Sequence, residues 1–156
     1  MIICIVGRLF GYVDVKSSVG VHFYVERRIE SLKQTPNAGV IRFNKAFLNT
    51  GNAMNMTSGI FTAPVNGTYH FHFTGHREIY DISKVGSSWL TVELRLNDQA
   101  VAYSFTATVT LKISCQSVLK LKAGDKVYVY KNQGWFSVGP RTTQFTGYLL
   151  EEDLKF

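Results

Sequence analysis

The chain has 156 residues and a mass of 17.6 kDa, the size of one domain whose core needs no metal or disulfide. Its composition, 46% hydrophobic and 13% aromatic, excludes the low hydrophobicity of a disordered chain. The formal net charge of +6 comes from basic residues spread along the chain without a run, so nucleic acid is not the expected partner. Moderate positive charge is consistent with anionic partners or with solubility alone.

The first residues, MIICIV, form an apolar run that Arg8 interrupts well before membrane-spanning length. We predict an N-terminal extension over residues 1–18, a degenerate or truncated leader, followed by a globular domain over residues 19–152 and a tail over residues 153–156. No transmembrane segment is expected. Cys4 and Cys115 are the only cysteines, so the sequence excludes a disulfide framework and a four-cysteine zinc site.

From residue 21 onward, apolar residues recur at a period of two, which is typical of strands with one buried face. The stretches VHFYVER, WLTVELRL and KVYVY all follow this pattern. Turn signals such as Asn97-Asp98 and Ala123-Gly124-Asp125 separate the apolar runs. The segment VERRIESLKQTP is the one competing helix candidate, and we interpret it as a connector. The sequence therefore predicts an all-β antiparallel sandwich or barrel.

The stretch FTAPVNGTYHFHF, residues 61–73, places His70 and His72 on one face of a strand, an arrangement that many metal enzymes use. Cupins are jelly rolls with such a His-x-His motif, and they suggest a metalloenzyme alternative with His70, His72 and Glu78. The ligand set is incomplete, because no histidine follows His76. A three-histidine set with His76 remains open, but the structural interpretation of these histidines is favoured.

Residues 40–73, VIRFNKAFLNTGNAMNMTSGIFTAPVNGTYHFHF, resemble the first half of the globular head domain of complement C1q, a family that also includes cerebellins and adiponectin. Further matches follow in the family's order around residues 94–97, in LKLKAGDKVYVY and in the closing QFTGYLL. The resemblance spans about residues 20–150. It implies a ten-stranded jelly roll of the C1q and tumour necrosis factor superfamily, assembled as a homotrimer.

The resemblance places the last strand near the trimer axis, where Gly147 would permit close backbone approach. Aromatic side chains on both faces of several strands exceed what one core needs, which indicates a subunit contact. The candidates for core or trimer interface are Tyr69, Phe71, Phe73, Tyr128, Tyr130, Phe145, Gly147 and Leu149.

Two departures from the family pattern bear on cofactors and thiols. Several members hold calcium through aspartates ahead of the segment that matches residues 117–121, but residues 108–116 contain no acid. We therefore expect no cofactor, since calcium needs carboxylate oxygens. Cys115 lacks the family's second cysteine, because Ala63 stands in its place, and we expect a buried, inert thiol.

No catalytic motif is present, so we expect no enzyme. The resemblance implies a secreted binding protein. Residues 76–88, 104–114 and 131–143 are predicted loops, and the third, KNQGWFSVGPRTT, combines an aromatic pair with flanking cations. Together with the resemblance and the net charge of +6, this loop suggests a site for anionic or glycan surfaces in innate immunity. The alternative is a cerebellin-like signalling ligand for a cell-surface receptor. The ligand-binding candidates are Lys131, Trp135, Phe136 and Arg141, and the possible glycosylation sites are Asn55 and Asn66.

Overall fold

The computed structural model describes residues 20–28, 38–76, 89–107, 112–134, 136 and 142–153. In this part of the chain all regular structure is β, and no helix is present that could cross a membrane. The strands are β1 (His22–Glu26), β2 (Gly39–Val40), β3 (Lys45–Thr50), β4 (Met54–Asn55), β5 (Ile60–Thr62), β6 (Gly67–His76), β7 (Trp89–Leu96), β8 (Gln99–Ala107), β9 (Lys112–Leu121), β10 (Lys126–Gln133) and β11 (Thr143–Glu152).

The strands form two antiparallel sheets, which confirms the predicted jelly-roll sandwich. One sheet has the order β3-β1-β11-β6-β9 and the other the order β4-β5-β10-β7-β8, with β2 paired to β10. The described residues contain eleven strands, one more than the expected ten, and β2 and β4 have only two residues each. The predicted loop over residues 104–114 is wrong in extent, since β8 continues to Ala107 and β9 begins at Lys112.

Antiparallel pairing brings one set of strand ends together. Glu26 of β1 pairs with Gln144 of β11, and His76 of β6 pairs with Lys112 of β9. In the other sheet, β8 and β10 finish where β7 begins. We call this the loop end. The opposite end, with the turns at residues 97–98 and 122–125, is the turn end; Asn97 and Asp98 adopt positive φ there, as tight hairpin turns require.

The core lies between the sheets and is largely aromatic. Phe23 of β1 meets Phe145 of β11 edge-on, with ring centroids 5.0 Å apart, and it meets Phe61 of β5 at 5.4 Å. Phe61 in turn lies 5.3 Å from Phe71 of β6, so these contacts join the two sheets. Rings at these distances in tilted or edge-on arrangements stabilise a core beyond the effect of area burial alone.

The candidates for core or interface separate into distinct groups. Tyr69, Phe71, Phe73, Phe145 and Gly147 are buried inside the sandwich, and they belong to the core of this chain. Leu149 is partly buried against the same core. Tyr128 and Tyr130 lie on the outer face of the six-stranded sheet, where Tyr128 is buried and Tyr130 half-buried. The residues buried in the core are not accessible to a second chain, whereas Tyr130 and Leu149 stay candidates for a subunit contact.

Gly147 shows how closely the core is packed. A Cβ at this position would lie 2.5 Å from the ring of Phe23 and 2.8 Å from that of Phe71. Both rings are fixed by neighbouring aromatic residues, so they have little room to move. The close approach expected at Gly147 is thus made by core rings of the same chain.

We expect Gly147→Ala to lower the free energy of unfolding by about 1–3 kcal/mol, because overpacking forces the phenyl rings to shift. Urea unfolding followed by circular dichroism measures this loss. Gln116→Ala, at an exposed position in the same sheet, is the control and should unfold like the wild type. Equal stability of Gly147→Ala and the control would contradict the packing argument.

Candidate functional site

The predicted aromatic site over residues 131–143 is only partly described by the structure, since Trp135 and Arg141 lie outside the described residues. Phe136 is 0% exposed and packs edge-on against Phe73, with ring centroids 6.0 Å apart. A Cβ on Gly75 would come within 2.7 Å of its ring. The expectation of an exposed ring is therefore wrong for Phe136, because the core at the loop end has a space that this ring fills.

Lys131, another ligand-binding candidate, is also buried. It follows Val127 and Val129 on the inward face of β10 and is only 4% exposed. Its Nζ donates a hydrogen bond to the carbonyl oxygen of Gly134 at 2.7 Å. Burial first, and then the charge of Arg27, lower the pKa of Lys131 from 10.5 to about 8. A ligand-binding cation would lie at the surface, whereas the side chain of Lys131 supports the loop from within.

Other basic residues gather where β1 finishes and β3 begins. Arg27 and Arg28 directly follow β1, and the Arg27 amide donates to the Thr143 carbonyl at 2.9 Å. The Asn44 side chain accepts from the Arg28 amide at 2.7 Å and donates to the Arg28 carbonyl at 2.9 Å. These bonds hold the segment of Arg42 and Lys45 against the end of β1. We call Arg27, Arg28, Arg42 and Lys45 the basic pole.

Among the residues that the structure describes, few carboxylates compensate the charge of the basic pole. The buried carboxylate of Glu26 lies 3.5 Å from Nε of Arg28. Arg28, Arg42 and Lys45 are exposed, whereas Arg27 is half-buried. Burial, followed by the charge of Arg42, lowers the pKa of Arg27. The repulsion between these cations therefore arises only in the folded chain. The sequence pattern does not predict it, because Arg27 and Arg42 belong to separate elements.

Most of the acidic residues that the structure describes lie at the turn end. Asp125 there accepts hydrogen bonds from the Lys122 amide and the Asn97 side chain, and both lower its pKa. Lys120 forms an ion pair with Asp153 at the same end. The hydrogen bonds keep Asp125 ionised, and the ion pair compensates the charge of Asp153. The carboxylates described at the turn end are Asp98, Asp125, Glu151, Glu152 and Asp153.

The two histidines of the HFHF stretch lie on the outer face of the five-stranded sheet, but their rings lean apart. The ring of His70 packs beside Tyr148 of β11, with centroids 5.1 Å apart. His72 Nε2 lies 3.1 Å from Ser114 Oγ on β9, the opposite neighbour of the strand. Glu78, the third residue of the metalloenzyme alternative, is outside the described residues. Within the described ranges no group of three metal-ligating side chains comes together.

Exposed apolar side chains occupy the same outer face. Val118 is 58% exposed and Tyr148 is 43% exposed. A depression of about 590 Å³ opens beside them between the start of β1 and the end of β11, lined in part by His22 and Leu150. We call these exposed residues the face patch: Phe47, Leu48, Val118, Tyr148 and Leu150.

The outer face of the six-stranded sheet is mostly covered by its own polar network. The Arg95 guanidinium lies 4.0 Å from the ring centre of Tyr130 and donates to Glu93 Oε2 at 2.7 Å. Asn132 donates to the other carboxylate oxygen of Glu93 at 2.9 Å. This polar network does not extend to the edge strand β8, where Phe105 is 58% exposed. We call the exposed residues of this strand the edge patch: Val101, Tyr103 and Phe105.

The two glycosylation candidates differ in accessibility. Asn55 is exposed, and its side-chain oxygen accepts from the amides of Thr57 and Ser58, both at 3.0 Å. The side-chain oxygen of Asn66 accepts from the Ala123 amide at 2.8 Å, which ties the start of β6 to the turn before β10. Asn55 is the more accessible of the two, and modification at either position stays a prediction.

Comparison with known proteins places this geometry in a family. The family model described as the C1q domain matches residues 22–150. Complement C1q tumor necrosis factor-related protein 2 from Mus musculus is 32% identical over 120 residues, which cover 72% of this chain and 38% of that protein. The Homo sapiens protein of the same name is also 32% identical over 120 residues, covering 39% of its length. The chain thus spans less than half the length of these curated relatives.

Solved structures show the same fold. The globular domain of zebrafish complement 1qA protein superposes with a TM-score of 0.66 at 24% identity, covering 86% of this chain and 99% of that chain. A crystal structure of murine APRIL superposes with a TM-score of 0.63 at 10% identity, covering 84% and 99%. These likenesses establish the C1q and tumour necrosis factor type of jelly roll, in agreement with the resemblance found in the sequence.

Phe136→Ala should lower the free energy of unfolding by about 3–5 kcal/mol, since it leaves a cavity beside Phe73 and Gly75. Urea unfolding measures the loss. Phe47→Ala removes the same atoms from a half-exposed ring that stacks on Tyr24, and it should cost much less. Equal small losses in both variants would show that Phe136 is not a core anchor.

The lowered pKa of Lys131 predicts a pH dependence of stability. Between pH 8 and pH 10.5 the unfolded chain binds a proton at Lys131 that the folded chain has released, so stability rises with pH. Relative to Lys131→Met, the wild type should therefore gain unfolding free energy across this window, as measured by urea unfolding at each pH. A constant difference between the two proteins would contradict the lowered pKa.

Proposed function

Because the chain belongs to the C1q domain family, we propose that it is a secreted, non-catalytic recognition module that acts as a homotrimer and binds anionic or glycan surfaces. The observation that carries this proposal is the basic pole, whose cations have little compensation from described carboxylates. Members of this family form trimers and bind ligands or receptors. The family relationship and the charge distribution therefore favour the same kind of function.

The two apolar patches support the trimer. The face patch lies on the outer face of the five-stranded sheet, whereas the edge patch lies at the free edge of the other sheet. Two different patches on one chain suit a heterologous contact, in which the edge of one copy packs on the face of the next. Such a contact closes into a ring when the rotation between copies is right, and a threefold ring leaves neither patch exposed.

Assembly as a trimer would also compensate for weak ligand binding by each single chain. A cyclic trimer presents equivalent surfaces of its copies at the same height along the axis, so three basic poles would face one side. Simultaneous engagement of several poles raises the overall affinity without any new contact. This arrangement favours extended or repeating ligands over single small molecules.

A cerebellin-like signalling role, with a cell-surface receptor as partner, is the second candidate. The observation that favours it is the exposed Trp89 beside the edge patch, since an exposed aromatic cluster is typical of a protein contact. Saturable binding to one membrane protein with little salt dependence would support this role. Broad binding that weakens with salt would support recognition of anionic surfaces.

The trimer has a direct test in Phe105→Glu and Tyr148→Glu, which place a charge in the edge patch and in the face patch. Each substitution should convert the trimer into monomers, because a buried unpaired charge is costly. Light scattering after size-exclusion chromatography measures the mass of the species. Thr62→Glu, exposed on the far side of the six-stranded sheet, is the control and should remain trimeric.

Mixing the two variants sharpens this test. Each variant retains the patch that the other has lost, so the mixture should form a dimer through one intact contact. A wild-type monomer at micromolar concentration would refute the trimer. Trimers formed by both variants would place the contact elsewhere on the molecule.

A further inference from the structure

All four histidines of the chain lie in the five-stranded sheet, one on β1 and the others on β6. His22 is opposite Tyr148 of β11 in the register, and Tyr148 is opposite His70. His70 in turn is opposite Val118 of β9, so one row across the sheet alternates histidines with residues of the face patch. His72 follows on the same outer face of β6. We call His22, His70 and His72 the histidine cluster.

Hydroxyl groups hold two members of the histidine cluster. Nε2 of His22 lies 3.1 Å from Oγ1 of Thr50, and Nε2 of His72 lies 3.1 Å from Oγ of Ser114. A hydroxyl donates to an unprotonated imidazole nitrogen or accepts from a protonated one, so both contacts persist when a ring gains a proton. The fold of a single chain therefore tolerates the charged rings at these positions.

His70 has a different environment, because its Nδ1 is buried and has no hydrogen-bond partner among the described residues. The ring packs beside Tyr148, with centroids 5.1 Å apart. A proton on Nδ1 would create an N–H without an acceptor, which is costly where water cannot reach it. In a single chain the half-buried ring can turn toward water. A second copy packed on the face patch would remove that route.

The charged groups around the histidine cluster offer little compensation for added protons. In the ranges that the structure describes, no carboxylate lies within ion-pair distance of a histidine. The charged and titratable groups on the same sheet face or at its ends are Lys45 of β3, Tyr24 and Glu26 of β1, Tyr148, Glu151 and Glu152 of β11, His76 of β6, and Lys112 and Lys120 of β9.

These neighbours act differently on the three histidines. Glu152 lines the depression together with His22, so its charge partly offsets a proton there. Burial first, and then the charges of His70 and Lys112, lower the pKa of His72. His70 and His72 also raise each other's cost of protonation, because they lie close together on one strand. We therefore expect His70 and His72 to contribute most of the effect of acid.

We propose that the histidine cluster is a pH-sensitive switch of the homotrimer, which is assembled at neutral pH and released as folded monomers in mild acid. The inference rests on the proposed function, since it gives the regulation of the trimer contact. Histidine is the side chain that ordinarily changes charge between about pH 5 and about pH 8. A trimer that covers the face patch would contain the cluster three times, so every added proton would be repeated in the same contact.

The direction of the switch follows from burial. Covering the face patch with a second copy favours neutral rings, so a free chain binds more protons in acid than a chain within the trimer. The free energy of assembly is therefore fully present above the ordinary histidine pKa of about 6.5 and is lost as the pH falls below it. Charged rings on a covered apolar face also repel one another and lose their hydration.

The test uses the full chain and measures the mass of the species by light scattering after size-exclusion chromatography. The two conditions are about pH 7.5 and about pH 5.5, on either side of the ordinary histidine pKa, at one ionic strength. The dissociation constant of the wild-type trimer should rise at least about tenfold in acid. Circular dichroism should show the same folded chain in both conditions.

Three variants assign the effect to particular rings. His70→Gln/His72→Gln has polar side chains that bind no proton, so it should stay trimeric in acid. His70→Arg carries a permanent charge, and it should be monomeric already at neutral pH. His76→Gln is the matched control, because Nδ1 of His76 lies 3.1 Å from the carbonyl oxygen of Thr142 at the loop end. This control should dissociate in acid like the wild type.

The outcomes separate the switch from the proposed function. A wild type that stays trimeric in acid would overturn the switch and leave the trimer intact, whereas a monomer at neutral pH would refute the trimer itself. Loss of folded structure in acid would overturn the release of folded monomers. Acid dissociation of His70→Gln/His72→Gln with the wild-type midpoint would show that other groups titrate, and would overturn the histidine cluster.

Single substitutions keep the test decisive if the double variant does not assemble at neutral pH. His70→Gln and His72→Gln should each move the midpoint of dissociation to lower pH, because each removes one proton-binding ring from the contact. Unchanged midpoints in both would overturn the proposal. A shift in His76→Gln alone would place the titrating group at the loop end and would also overturn it.

Discussion

The packing of phenyl rings between the two sheets is the constraint on which the rest of the molecule depends. Phe23, Phe71 and Phe145 come from adjacent strands of one sheet and meet Phe61 of the other, so the sheets cannot slide past each other without breaking several ring contacts. Gly147 leaves the space that two of these rings occupy. Because the register of a strand decides which face its residues take, this core also fixes what the outer faces present.

The outer faces of the two sheets use their residues in different ways. On the six-stranded sheet, Arg95 pairs with Glu93 and covers Tyr130, so polar and aromatic groups satisfy one another within the chain. On the five-stranded sheet, Val118 and Tyr148 remain largely exposed, although the ring of His70 packs beside Tyr148. A sheet with one face in the core and the other apolar is incomplete in water, and a second copy of the chain is the proposed cover.

The charge distribution follows the direction of the strands. Antiparallel pairing gathers the ends of β1, β6, β8 and β10 at the loop end, where the basic pole lies, and sends most described carboxylates to the turn end. The core lysine, Lys131, adds a buried positive group beneath the loop end. A scaffold held rigid by its aromatic core can keep such cations together in spite of their repulsion, because the stability comes from elsewhere in the fold.

The sequence by itself determined the strands, the alternation of faces and the family. The period-two pattern of residues 67–76 predicts both faces of β6, and the signal at Asn97-Asp98 marks a turn that the structure contains, because these features depend on local backbone geometry. Only the tertiary structure decided the environments of Phe136 and Lys131, which looked like exposed loop residues and lie in the core. It also decided the basic pole, since Arg27 and Arg42 become neighbours only when β1 and β3 pair across distant parts of the chain. Burial and the proximity of charges are set by long-range pairing, and no local pattern in the sequence encodes them.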